Sequence, residues 1–201
     1  MEAIARACSE GRIQGSVVLV AGNFSDSPAL ARATSLGLRA EVIKSPGKSG
    51  AVEDDEAYGW RLLDLLRESQ ADLICLAGYM RKLPAAIIDA FGGRIMNTHP
   101  ALLPSFGGKG MYGANVHQAV LDYGVKVSGC TVHFVDETYD TGPIILQMVV
   151  PVEDDDTPET LAARVIKAEH AAYVDAVARF AEGRLSIDGR RVKCRPALDI
   201  L

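Results

Sequence analysis

The sequence predicts an α/β fold: a doubly wound, mostly parallel sheet with an antiparallel edge and a long C-terminal helix. Short apolar runs, Ser16 to Ala21, Asp72 to Ala77 and Arg94 to Asn97, read as strands covered on both faces. Helical stretches separate them at the spacing of crossover connections, which argues for parallel neighbours. Two later runs, Val127 to Val135 and Ile144 to Val152, are joined by a turn-rich link and suit an antiparallel pair at the edge. With 201 residues the chain is long enough to bury a core and is expected to form one domain over 1–201.

In chain order, Glu2 to Cys8 reads as a short helix ended near Gly11. After the first apolar run, Ser27 stands as an N-cap with Pro28 in the first turn, and Gly37 ends that helix. Arg39 to Ile43 is a second strand. The stretch from Lys44 to Gly50 is rich in chain breakers. Its Gly47-Lys48-Ser49 lacks the first glycine of a phosphate loop, and no strand feeds straight into it, so it is not read as a nucleoside-triphosphate site. Glu53 to Glu68 carries Trp60, Leu62, Leu63, Leu65 and Leu66 at helical spacing. Pro84 to Phe91 and Asn115 to Tyr123 are also helical. Thr157-Pro158-Glu159-Thr160 opens the long C-terminal helix with favourable N-terminal chemistry, and Ser186 to Arg190 reads as a terminal hairpin.

Composition narrows the function. Hydrophobic content of 48% and charged content of 23% are ordinary for a globular protein. A net charge of -5 and a pI near 5.4 lack the basic footprint of a nucleic-acid binder, although a local basic pocket for a phosphorylated small molecule stays compatible. Cys8, Cys75, Cys130 and Cys194 are widely spaced, with Cys75 and Cys130 in apolar runs, and read as free thiols rather than as a metal site. No apolar run reaches the roughly 18–20 residues of a membrane span, and no signal peptide is visible. A cytoplasmic protein without membrane or nucleic-acid partners is expected.

The chemistry concentrates between Arg94 and Pro151. One strand run stops at Asn97-Thr98-His99-Pro100 and continues into Leu102-Leu103-Pro104; a later one ends before Tyr139-Asp140-Thr141-Gly142-Pro143. Strand ends hold side chains rigidly at the edge where open α/β sheets bind ligands. Asn97, His99 and Asp140 offer a neutral donor, a titratable base and an anion. Those are the parts needed to move a proton beside a developing oxyanion.

Asn-x-His-Pro-x-Leu-Leu-Pro followed by Asp-Thr-Gly-Pro-Ile resembles the folate-dependent formyltransferases, over nearly the whole chain. The likeness implies their Rossmann-like fold and transfer of a formyl group from 10-formyltetrahydrofolate, as co-substrate, to an amine. The nearest branch acts on glycinamide ribonucleotide, a phosphorylated ribonucleotide amine of purine synthesis. Catalytic roles then fall on Asn97, His99 and Asp140, with His133 in support and no metal. The folate pocket falls on Tyr79, Met80, Arg81, Leu83 and Val135. Glu169 falls against the ribose hydroxyls. Many bacterial members carry a glycine-rich loop like Phe106 to Gly113, where Lys109 is placed to meet a phosphate or the folate's glutamate tail. A monomer or homodimer is expected. Other readings are a tRNA or sugar-amine formyltransferase, or a folate-binding remnant without full activity. The family's first strand and its phosphate-gripping glycine loop precede the helix matched by Glu2 to Cys8. The expectation is therefore that the true start lies upstream or that phosphate binding is weakened.

Overall fold

The computed structural model describes residues 1–45 and 55–197, so the Gly47-Lys48-Ser49 stretch lies outside the described residues. The elements run α1 (Glu2–Ser9), β1 (Val20–Gly22), α2 (Pro28–Ser35), β2 (Ala40–Val42), α3 (Asp55–Glu68), β3 (Ile74–Cys75) and α4 (Ala85–Ala90). They continue with β4 (Ile95–His99), α5 (Ala114–Tyr123), β5 (Val127–Phe134), β6 (Ile144–Pro151), α6 (Pro158–Ala181), β7 (Leu185–Asp188) and β8 (Arg191–Cys194).

The strands form two ladders. β1 and β2 pair in parallel, with Val20 opposite Ala40 and Gly22 opposite Val42. A six-stranded sheet follows the order β3-β4-β5-β6-β8-β7. Its β3–β4 and β6–β8 pairings are parallel, whereas β4–β5, β5–β6 and β7–β8 are antiparallel. The expected antiparallel pair is β5–β6. It lies inside the sheet, because the terminal hairpin adds two strands beyond β6.

Local chemistry accounts for the helix ends. At α6 the Thr157 hydroxyl accepts from the Thr160 backbone N–H, and the Thr160 hydroxyl accepts from the Thr157 N–H, which satisfies two otherwise orphaned donors. Gly124 ends α5 in the left-handed region. Ser27 occupies the N-cap of α2 as predicted, but its side chain makes no capping bond there. Trp60 sits at helical spacing on α3 yet is half exposed, while Leu62, Leu63 and Leu66 turn inward.

Two apolar layers flank the strands. Leu62, Leu63 and Leu66 of α3 pack with Ile87, Phe91 and Ile95 on one side; Leu161, Val165, Val174 and Val177 of α6 pack with Met96, Val132 and Phe134 on the other. Tyr173 pins the second layer to the strand ends, its hydroxyl 3.0 Å from the Leu76 carbonyl and 2.8 Å from that of Met96. Burial pushes its phenol well above the usual range, so the O–H remains a donor. Cys130 is buried as expected and Cys75 half-buried, and burial pushes both thiols up to about 11, which makes them poor nucleophiles. Among the described residues no helix is long and apolar enough to cross a membrane.

Candidate active site

The end of β4 delivers Asn97, Thr98 and His99 side by side, and β5 places His133 directly opposite Asn97. Alternation along β4 sends Met96 and Thr98 to one face and Asn97 and His99 to the other. The link from β5 to β6 then brings Asp140 over the same edge. That link is shaped by Asp136, whose carboxylate accepts from the Thr138 N–H at 2.9 Å and the Thr141 hydroxyl at 2.8 Å. Gly142 follows where a Cβ would lie 1.8 Å from the Phe134 carbonyl oxygen, so only glycine fits.

Asp140 adopts φ 58°, a conformation that places its carboxylate between two imidazoles. Its Oδ2 is 3.6 Å from His99 Nδ1, and its Oδ1 is 3.8 Å from His133 Nε2. His99 is 3% exposed, and its Nε2 lies 2.7 Å from the Phe106 carbonyl oxygen. A carbonyl only accepts, so Nε2 carries a proton, and Nδ1 is the nitrogen turned to Asp140. His133 is arranged the other way round. Its Nδ1 donates to the Phe134 carbonyl at 2.8 Å, leaving Nε2 as a buried lone pair facing Asp140. Burial lowers the pKa of His133, opposed by the Phe134 carbonyl and by Asp140.

The glycine-rich loop touches two of the three catalytic candidates, His99 and Asp140. Phe106, itself at φ 55°, offers its carbonyl to His99, and the Gly108 N–H donates to Asp140 Oδ2 at 2.9 Å. The chain before this loop is fixed from below. The Thr131 hydroxyl donates to the Ala101 carbonyl and accepts from the Leu103 N–H, and Gln147 Nε2 reaches both Thr131 Oγ1 and the Leu103 carbonyl.

On the opposite face, Thr98 Oγ1 donates to Glu169 Oε1 at 3.0 Å, joining β4 to α6. Burial raises the Glu169 pKa, an effect that the Thr98 bond partly opposes. The next residue of α6, His170, lines a cavity of about 670 Å³ together with Glu2, Arg6, Arg12, Arg32 and Lys167, among others.

The structure therefore gathers Asn97, His99, His133 and Asp140 at one edge and holds Glu169 behind the same strand. Tyr79, Met80, Arg81 and Leu83 lie in the segment after β3. There Leu83 is buried, Met80 is exposed, and Arg81 pairs with Asp55 at 3.0 Å. Val135 joins this side through its N–H, which donates to the Ile95 carbonyl at 2.9 Å. Lys109 stands exposed on the loop and makes no ion pair with the described residues. Sequence reasoning missed Thr98, Thr131, Gln147 and Tyr173. Only Thr98 carried a signal, as the residue between Asn97 and His99.

A family model described as formyl transferase matches residues 1–177, and the chain belongs to this formyl transferase family. Among its relatives, phosphoribosylglycinamide formyltransferase of Escherichia coli K12 is 35% identical over 96% of this chain and 90% of its own length. The chloroplastic phosphoribosylglycinamide formyltransferase of Arabidopsis thaliana is 45% identical over 89% of this chain, which spans 60% of that protein's length. The crystal structure of glycinamide ribonucleotide transformylase 1 from Symbiobacterium toebii superposes with a TM-score of 0.88 at 43% identity, covering 96% of this chain and 87% of that one.

Proposed function

We propose that this chain transfers the formyl group of 10-formyltetrahydrofolate to the amine of glycinamide ribonucleotide, as one formyltransferase unit acting in the cytoplasm. The observation that carries this reading is the Asp140 carboxylate set between His99 and His133 beside Asn97. The amine nitrogen attacks the formyl carbon, a C–N bond forms, and the carbonyl oxygen takes the negative charge. The Asn97 amide, which makes no hydrogen bond to the described residues, is the donor to that oxygen, worth about 3–4 kcal/mol in comparable sites. The proton lost by the amine passes to His99 Nδ1, where Asp140 stabilises the resulting imidazolium. Collapse expels N10 of tetrahydrofolate, which takes the proton back.

Folate binds along the segment of Tyr79, Met80, Arg81 and Leu83, with Val135 as the facing wall. The ribose hydroxyls bind Glu169, and the phosphate enters the adjoining basic cavity, where Arg32 and Lys167 make no ion pair among the described residues. Four free cysteines fit a reducing compartment. The test is formyl transfer from 10-formyltetrahydrofolate to glycinamide ribonucleotide, followed beside folate binding. Transfer that saturates in both substrates is expected. Folate binding without transfer to this amine would overturn the proposal.

A further inference from the structure

The first turn of α3 is tied twice to the candidate folate segment. Asp55 and Tyr58 stand three residues apart and share a helix face. Arg81 Nη2 donates to Asp55 Oδ1 at 3.0 Å, and the Tyr58 hydroxyl lies 3.5 Å from the Tyr79 hydroxyl. Behind Tyr58 stands Asn23 from the end of β1. Its Nδ2 donates to the Tyr58 hydroxyl at 3.0 Å and to the Ile43 carbonyl at 3.2 Å.

Proton counting gives this chain a direction. The Asn23 amide has two N–H groups on Nδ2, and the two acceptors use both. The Tyr58 hydroxyl therefore accepts from Asn23 and keeps its own hydrogen to give. Tyr58 is 2% exposed, and a buried tyrosine hydroxyl needs a partner; among the described residues the further oxygen within reach is that of Tyr79. With Tyr58 donating to it, Tyr79 retains its own O–H for a group outside the protein core. Burial, then the neighbouring Tyr58, holds the Tyr79 phenol protonated.

We propose that Asn23, Tyr58 and Asp55 are positioning residues for the folate co-substrate, Tyr58 acting through Tyr79 and Asp55 through Arg81. Tyr79 then presents an oriented O–H donor to an acceptor on the folate, while the second tie stops the segment from sliding along α3. The Tyr58–Tyr79 contact is long for an O–H···O bond and tightens when Tyr79 is engaged. This inference rests on the folate reading of the segment and adds residues outside it that set folate affinity.

Tyr58→Phe removes the hydroxyl and keeps the ring, and Asp55→Asn removes the charge at an exposed position. The Michaelis constants for 10-formyltetrahydrofolate and glycinamide ribonucleotide, the kcat and the Tm are measured for both variants and the parent. In Tyr58→Phe the folate constant is expected to rise about 3- to 10-fold, as for one lost hydrogen bond. The ribonucleotide constant and kcat stay at their parental values, since neither depends on that bond. Asp55→Asn shows the same selectivity, by about twofold, and loses it at high salt. A lower Tm with an unchanged folate constant would make Tyr58 a core hydrogen bond only and overturn the proposal, as would equal rises for both substrates. If Tyr58→Phe does not fold, Asp55→Asn decides by the same criterion. Absence of transfer by the parent overturns the proposed function and this inference with it; transfer by a parent with an indifferent Tyr58→Phe overturns this inference alone.

Discussion

Asp140 and Asp156 are both largely withdrawn from solvent, with side chains 12% and 2% exposed, and they are partnered in opposite ways. Asp156 is saturated. Arg164 grips it bidentately at 2.7 and 2.9 Å, the Glu153 N–H donates at 2.8 Å, and the Thr160 hydroxyl donates at 2.7 Å. Asp140 receives one backbone N–H at 2.9 Å and otherwise faces two imidazole nitrogens beyond hydrogen-bond distance. A carboxylate with every lone pair taken holds the β6–α6 corner together. A carboxylate left partly unpaired beside two bases retains the capacity to stabilise a charge that arrives during reaction.

Asp140→Asn should separate the two roles most sharply. The Asn carbonyl in the Oδ2 position still accepts from Gly108, its amide then faces the lone pair on His133 Nε2, and no anion remains beside His99 Nδ1. Turnover is expected to fall about 10²- to 10⁴-fold with Tm at or above the parental value. Near-parental turnover in single-turnover assays would remove Asp140 from the mechanism.

At Asp156 the order inverts. Asp156→Asn loses the charge that Arg164 pairs with, and Tm is expected to fall on the order of 5 °C while kcat of the folded fraction is unchanged. Arg164 holds the Asp156 carboxyl well below its ordinary range. A depressed folded pKa gives stability that is present above the unfolded carboxylate pKa and lost as pH falls through the folded one. Acid unfolding of the parent below about pH 4 should therefore be steeper than that of Asp156→Asn. Parallel curves would mean that the pair contributes nothing.

Glu169 lies between these extremes and should show the smallest effect. Burial raises its pKa, so its stabilising contribution is greatest below the unfolded carboxylate pKa and is lost as pH rises through the folded value. Glu169→Gln is expected to raise Tm at pH 7 by about 1–3 °C while weakening ribonucleotide binding about tenfold. A variant that gains stability without losing affinity would leave Glu169 with no ligand to hold.

The elements around these sites differ in how far they can be read from the chain. Helix α6 is legible because Thr157, Pro158 and Thr160 act within one turn, and β4 because Ile95 and Met96 lead directly into Asn97 and His99. The catalytic candidates Asn97, His99 and Asp140 each sit in a short, distinctive stretch. The mixed pairing of the six-stranded sheet is less so: each strand's apolar pattern reports its burial but not the neighbour it chooses. Lys109 illustrates the limit, as a cation in a glycine-rich loop suggests a ligand while the folded loop leaves it exposed.

By itself the sequence determined strand and helix order, the α6 cap, the placing of Asn97 and His99 at a strand end and that of Asp140 in the turn-rich link between β5 and β6, because periodicity and turn chemistry act over a few residues. Only the tertiary structure decided that the Phe106 carbonyl occupies His99, that Thr98 meets Glu169, that Tyr173 bridges the ends of β3 and β4, and that Tyr58 stands behind Tyr79. Those contacts join segments brought together by packing of the two apolar layers. Their donors and acceptors have no local pattern, and burial without a partner would cost each about 1–3 kcal/mol.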